Sequence, residues 1–369
     1  MRLIKYLFIG GVALAAMITA LGYFFLNERP ESEGREVIFE LKAGSFISVA
    51  RELEQQGLIT DAFKFKILAR VLGDTGNIRV GEYALRTDMT PSEVLRVIVS
   101  GKSIQHPITV VEGANIFDVA ELIEKKGLGQ KKEFLKLCRD SVFLMSALGE
   151  ALTSCEGYLY PETYGITRFM TEKEIMQQMF ARFVENYSKV DGAAMGTGLT
   201  RHQIITFASI VEKETGAPQE RPIISSVYHN RLNKGMRLQA DPTVLYGKWI
   251  STGNLLLSIT RDDLITPNAY NTYMKTGLPA GPIANPGILA IEAAIHPAET
   301  EFLFFVSKND GTHVFSKDYE SHNRAVQSFQ QNAKAREGKS WRDLQKKKVE
   351  PSIKKSAADS KKKSGHLKK

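Results

Sequence analysis

The residues best suited to chemistry sit in the stretch "FASIVEKETGAP", Phe207 to Pro218. An apolar helical run leads into two carboxylates, Glu212 and Glu214, and then into Gly216 and Pro218. Residues two apart on a helix do not face each other. Glu212 and Glu214 therefore cannot act as a cooperating acid/base pair, and at most one of them points into a site. Glu214 extends the row Ile204, Phe207, Val211, whereas Glu212 belongs with Ile205 and Ala208, and both lie near the edge of the apolar face. Position along the helix separates them better. Gly216 is a natural C-terminal stop and Pro218 closes it, which places Glu214 in the last turn. Free carbonyls at a helix C-terminus disfavour an anion, and partial burial disfavours it too. Both effects raise a carboxyl pKa and suit an acid that must hold a proton near neutral pH. The plainer reading has both glutamates solvated and paired with Lys213 and Arg221.

Other catalytic signatures are missing from the sequence. There is no H-E-x-x-H, the seven His show no metal-ligand spacing, and neither a Gly-rich phosphate loop after a strand nor a G-x-S-x-G occurs. S-x-x-K is found only in the lysine-rich tail. No metal and no cofactor is expected. Two segments have the composition of a sugar-binding surface. "RLQADPTVLYG" (237–247) puts Gln239, Asp241 and Tyr246 on a loop, and "TPNAYNTYMKTGLPAGPIANPG" (266–287) contributes Asn271 and Tyr273. Amides hydrogen-bond hydroxyl and N-acetyl groups, and Tyr stacks on ring faces. Asp241 could stabilise positive charge or hold its loop, since Asp241-Pro242-Thr243 reads as a turn. Glu162 in "PETYG" reads as structural.

The elements that must position these groups follow from periodicity. "EVIFELKAG" is a strand pattern, "SFISVARELEQQGLI" an amphipathic helix capped by Ser45, and Asp61–Leu72 a second helix. "GEYALRTDM" is another strand and "TPSEVLRVIVSG" a helix with Thr90 before Pro91 as its cap. A second region opens with the strand "HPITVVEG" and the helix "NIFDVAELIEKKG", passes through the aromatic-rich "CEGYLYPETYGI", and turns helical from about 170. After Gly- and Pro-rich stretches, "EFLFFVSKNDGTHVFS" reads as a hairpin with an Asn-Asp-Gly turn. The fold class is α+β.

The 369 residues suit two or three domains, and 43% apolar with 24% charged residues is ordinary globular composition. The net charge of +8 belongs to a tail: residues 334–369 hold fourteen Lys and Arg against four acids, so the rest of the chain stands at −2. Nucleic acid is therefore not an expected partner. The tail itself has the composition of a disordered segment, either solubilising or a weak grip on anionic polymer or lipid. Cys138 and Cys155 could form one disulfide, but sequence does not show that they meet. From Tyr6 to Asn27 no charged residue occurs. That run is long enough to cross a bilayer and longer than the core of a cleaved signal. Arg2 and Lys5 before it leave the N-terminus in the cytoplasm and residues 28–369 outside that membrane.

Several segments appear in the order found in one family: "VVEGANIFDVAELI", "EGYLYPETY", "ASIVEKET", "HNRLNKGMRLQADPTVLYG", "YNTYMKTGLPAGPIANPG", "AAIHPAETEFLFFV" and "HVFSKDYESHNRAV". With them the chain resembles the endolytic murein transglycosylases of the MltG (YceG-like) family over roughly 105–330. The resemblance implies a membrane-anchored lytic transglycosylase that cuts nascent peptidoglycan strands between N-acetylmuramic acid and N-acetylglucosamine and leaves 1,6-anhydro ends. It implies 37–104 as a LysM-like α/β domain and 105–335 as a catalytic domain with a lysozyme-like helical part; composition supplies the rest of the division, 1–27 as cytoplasmic N-terminus and transmembrane helix, 28–36 as linker and 336–369 as a disordered tail outside the family core. It places the chain in the inner membrane with its bulk in the periplasm and implies a link to peptidoglycan synthases. By analogy with lytic transglycosylases, whose acid is a Glu followed by Ser or Thr near a helix end, the catalytic residue is Glu214 in preference to Glu212; Gln239, Asp241, Tyr246, Asn271 and Tyr273, read from the composition of their segments, are the candidates for the substrate. Two other readings stay open: a peptidoglycan-binding scaffold with little activity, and a muramidase that pairs Glu214 with Asp241.

Overall fold

The computed structural model describes residues 2–214, 217–253 and 259–331. The expected stop at Gly216 and the lysine-rich tail lie outside the described residues. Among the described residues the chain is a mixed α/β fold with one N-terminal apolar helix and three small two-stranded sheets. The described residues form two compact units, one within 2–108, 123–129 and 164–171, the other within 109–122, 130–163 and 172–331.

The first unit begins with α1 (Arg2–Asn27), whose residues 8–27 are apolar and long enough to cross a membrane. Then come β1 (Glu36–Leu41), α2 (Phe46–Gln55), α3 (Ala62–Val71), β2 (Gly81–Arg86) and α4 (Pro91–Ser100). β1 and β2 pair antiparallel with Phe39 opposite Tyr83, and their alternation sends Phe39, Leu41, Tyr83 and Leu85 into one core. Local chemistry fixes the helix starts. Ser45 accepts from the Ser48 amide, and Thr90 and Glu93 form a reciprocal capping box. The polar stretch 28–36 is not a free tether. Thr87, fully buried, bonds Glu31 and Arg35 through backbone and hydroxyl (Thr87 Oγ1 to Glu31 Oε2, 2.7 Å). Phe25, near the end of α1, is buried in the same core as Phe39 and Phe65. The short pair β3 (His106–Thr109) and β4 (Thr163–Ile166) follows.

The second unit is mainly helical: α5 (Ile116–Lys125), α6 (Lys131–Leu137), α7 (Ser141–Leu148), α8 (Glu172–Tyr187), α9 (Asp191–Ala194), α10 (Arg201–Glu214), α11 (Arg221–Asn233), α12 (Asp241–Thr252), α13 (Arg261–Ile265), α14 (Ile288–Ile295) and α15 (Tyr319–Val326), with the hairpin β5 (Phe304–Ser307) and β6 (His313–Ser316). Cys138 and Cys155 are joined by a disulfide with Cα atoms 4.9 Å apart. α10 is the central helix. It starts with Thr200 and Gln203 capping each other, buries an unbroken run from Ile204 to Val211, and packs along α14. An unbroken buried run, rather than a stripe, means neighbours on every side.

Two buried polar residues tie the surrounding loops together. Asn285 accepts from the Gly157 and Leu159 amides at 2.9 Å each and donates to the Ala114 carbonyl. Glu156, fully buried, accepts from the Ile116 amide at the start of α5 and from the Tyr246 hydroxyl at 2.8 Å. Burial pushes the Glu156 carboxyl up to about 8. These bonds explain the "EGYLY" and "IANPG" segments as a structural knot, because a buried backbone amide must find an acceptor.

Candidate active site

Glu214 is the last described residue of α10, and its carboxyl opens into a cavity of about 290 Å³. The lining also includes Tyr228, Arg231, Leu238, Gln239, Asp241, Tyr273, Phe305 and His322. Glu212 is placed elsewhere. It bonds Arg221 at 2.8 Å and accepts from the Gly287 amide at 3.0 Å. The pairing expected for both glutamates thus holds for one: Arg221 takes Glu212, and Lys213 bonds the Gly113 carbonyl. Glu162 likewise pairs with Arg182, at 2.8 Å.

α11 runs beside α10 and supplies Tyr228 and Arg231, three residues apart and so on one face. The buried Tyr228 ring stands edge-on to Phe207 and Phe305, which leaves its hydroxyl one partner: it donates to Glu214 Oε1 at 2.6 Å. Arg231 is spent on the frame. Its Nε donates to the Leu303 carbonyl and its Nη1 to the Leu238 carbonyl, both at 2.7 Å, and its guanidinium lies 5.2 Å from the Phe304 ring centre. One side chain therefore fixes both the strand and the loop that wall the cavity.

Desolvation raises the Glu214 carboxyl to about 7. The Tyr228 hydrogen bond opposes this, the Asp241 charge adds to it, and Arg231 opposes it again. The sequence leads one to expect a rise from burial and from the helix end; burial is the largest cause, and the neighbouring Asp241 carboxylate adds to it. A carboxyl poised there holds a proton at neutral pH and can also give it up.

The 237–247 segment differs from the expected loop. Asp241 opens α12, with Pro242 in its first turn. Proline fits there because the first-turn amides have no intrahelical partner, and the acid suits the positive helix end. Asp241 Oδ1 accepts from the Tyr273 hydroxyl at 2.6 Å. The site thus holds two phenol–carboxylate pairs, Tyr228–Glu214 and Tyr273–Asp241. Gln239 sits between the two helices with φ of 51°, a left-handed conformation that costs a non-glycine residue about 1–2 kcal/mol. Its backbone is held by the Thr272 carbonyl, while its amide side chain is exposed at the cavity.

Two expected substrate residues lie outside the cavity. Tyr246 is buried on α12 with its hydroxyl given to Glu156. Asn271 is buried with its amide donating to the Asp263, Leu264 and Thr266 carbonyls and its oxygen accepting from the Tyr273 amide. Both are scaffold: Tyr246 faces inward because the segment is helical, and Asn271 positions Tyr273. Tyr228, Arg231, Phe305 and His322 were not singled out from sequence. The spacing of Tyr228 and Arg231 is a usable signal, but only once α11 is known to face α10. Among the described residues no cluster of His, Cys, Asp and Glu could hold a metal. A larger, shallower depression lined by Glu299, Thr300, Glu301, Phe302 and Lys317 has exposed charges and no desolvated acid.

The model of the YceG-like family matches residues 39–328. The chain is similar to the endolytic murein transglycosylase of Bacillus subtilis, at 30% identity over 321 residues that cover 82% of this chain and 88% of that protein. A protein of the same name from Streptococcus pneumoniae is 27% identical over 361 residues, 88% of this chain and 65% of that protein. The crystal structure of a YceG-like protein from Listeria monocytogenes superposes with a TM-score of 0.55 at 31% identity, over 79% of this chain and 99% of that one. Matched over most of its length in sequence and in fold, the chain belongs to the YceG-like family.

Proposed function

We propose that this chain is an endolytic lytic transglycosylase of peptidoglycan, with Glu214 as its catalytic acid and base. The observation that carries the reading is the desolvated Glu214 carboxyl, raised to about 7 and bonded by Tyr228, in a cavity shared with Asp241, Tyr273 and Gln239. Glu214 protonates the glycosidic oxygen as the bond to C1 of the muramic sugar breaks, and positive charge develops there. The carboxylate then takes the proton of the C6 hydroxyl, and O6 closes on C1 to give the 1,6-anhydro end. No water is consumed, so one carboxyl cycles between both roles. Holding O6 against C1 is a proximity effect, assigned here to Gln239 and Tyr273. Asp241, across the same cavity, favours the developing cation.

In this reading α1 anchors the chain in the inner membrane with its N-terminus cytoplasmic, and the residues after it work in the periplasm on nascent strands made by peptidoglycan synthases. Residues 37–104 act as a LysM-like domain and 105–335 as the catalytic domain with a lysozyme-like helical part. A second reading has one observation in its favour. Asp241 lines the same cavity as Glu214, as a hydrolase with two carboxylates requires. E214Q tests the enzyme reading: strands should still bind and no longer be cut, and unchanged cleavage would remove Glu214 from the chemistry.

A further inference from the structure

α3 carries apolar residues on the face that a surface helix normally leaves polar. Its inner face buries Ala62, Phe65 and Ala69, and Leu68 packs on the same core. On the opposite side Phe63, Ile67 and Val71 recur every four residues and are 68%, 48% and 78% exposed. At 3.6 residues per turn these three form one stripe about 12 Å long, nearly diametric to the buried face. Lys66 and Arg70 border the stripe on one side and Lys64 on the other. Lys64 is drawn to the capping Asp61 at 3.6 Å, while Lys66 and Arg70 make no ion pair among the described residues.

The position of α3 indicates what covers the stripe. The Lys64 ammonium lies 5.6 Å from the ring centre of Phe25. Phe25 is two residues from the end of α1 and is itself buried in the core that α3 packs on. The exit of α1 is further fixed by the bonds of Thr87 to Glu31 and Arg35. Tyr23 and Phe24, both exposed, mark this end of the helix as aromatic residues mark a membrane–water boundary. α3 therefore lies at the depth where a spanning α1 leaves the hydrocarbon. An apolar stripe with flanking Lys and Arg is the pattern of a helix lying in a bilayer interface, its cations reaching headgroups while its apolar face enters the acyl boundary.

We propose that the exposed face of α3 docks on the lipid bilayer surface, so that Phe63, Ile67 and Val71 enter the interface and hold the first unit flat against the membrane. The proposal rests on α1 crossing the bilayer. The full chain is reconstituted into phosphatidylethanolamine/phosphatidylglycerol vesicles with plain or brominated acyl chains, as F63W, as I67W, and as V12W within α1. Fluorescence of the unsubstituted chain is subtracted to remove Trp249 and Trp341. F63W and I67W are expected to lose about half or more of their added emission in brominated vesicles, as interfacial side chains do, alongside strong quenching in V12W. Quenching of V12W with none in F63W or I67W leaves the anchor standing and overturns the docking, and so does blue-shifted but unquenched emission, which would mean a protein covers the stripe. Absence of quenching at all three positions removes the anchor, and the docking with it.

Discussion

Tyr228 donates to Glu214 Oε1 over 2.6 Å from the next helix, and this bond, helped by the Arg231 charge, holds down a carboxyl that burial pushes up. A phenol that favours the carboxylate over the acid sets where the site titrates. Removing it in Y228F should therefore raise the Glu214 pKa further. Cleavage needs Glu214 protonated at the start, so the alkaline limb of kcat/KM, expected near pH 7 in the wild type, moves to higher pH in Y228F. kcat should fall by about tenfold or more, because the acid also loses its orientation. An unshifted limb would mean that another group sets the profile.

Asp241 acts on the same group in the opposite sense. Its charge raises the Glu214 pKa, so D241N should move the alkaline limb to lower pH. The amide oxygen can still accept from Tyr273, which keeps the frame. If Asp241 only assists, D241N still forms anhydro ends at a reduced rate. If it activates water, D241N stops product formation.

Gln239 combines a left-handed backbone with an exposed amide at the cavity, a conformation kept at a cost of about 1–2 kcal/mol. Q239G should stabilise the fold by up to about 1 kcal/mol in thermal denaturation, since glycine adopts this φ freely, while KM for glycan strands rises. A variant that gains stability with unchanged KM would place the amide off the substrate.

Much of the fold is legible in the sequence where one local rule decides. Ser45 and Thr90 cap helices, the 304–316 hairpin turns where Asn-Asp-Gly stands, and Glu214 follows a buried helical run. Failures occur where two rules compete. Asp241-Pro242 suits a turn and a helix start equally, and only the packing of Val244 and Tyr246 selects the helix. That choice turns Tyr246 inward and away from the cavity. Asn271 has the composition of a sugar contact but is consumed by three carbonyls that only the folded loop brings together. Tyr228 stayed hidden because its meaning depends on which face of α11 meets α10, a long-range fact. The disulfide is of the same kind: two Cys seventeen apart become informative only when their Cα atoms are 4.9 Å from each other.

That disulfide closes a loop of 17 residues, for which chain-entropy arguments give about 3 kcal/mol. The double variant C138A/C155A should lower stability by about 2–4 kcal/mol in denaturant titration, and the wild-type chain should bind no thiol reagent without prior reduction. Ready labelling of the folded, unreduced chain would contradict the bond.

Glu156 governs a pH effect distinct from catalysis. Its carboxyl is raised from the ordinary 4.5 to about 8 in the folded state. The folded chain thus holds a proton that the unfolded chain releases above about 4.5, so stability falls as pH rises from about 4.5 to about 8. Glu214 adds in the same direction up to about 7. E156Q should flatten this slope in melting curves recorded against pH. E156A should cost about 1–3 kcal/mol at any pH by orphaning the Ile116 amide and the Tyr246 hydroxyl. A slope of unchanged size in E156Q would relocate the effect.

The most direct test of the central claim is the mass of the product ends. Purified glycan strands are incubated with the full-length chain and with E214Q, and the released fragments are weighed. An internal attack by O6 predicts muramic ends one water lighter than hydrolytic ends for the wild type, and no new ends for E214Q. Ordinary reducing ends, or anhydro ends still formed at the wild-type rate by E214Q, would contradict the assignment of Glu214 as the single acid and base.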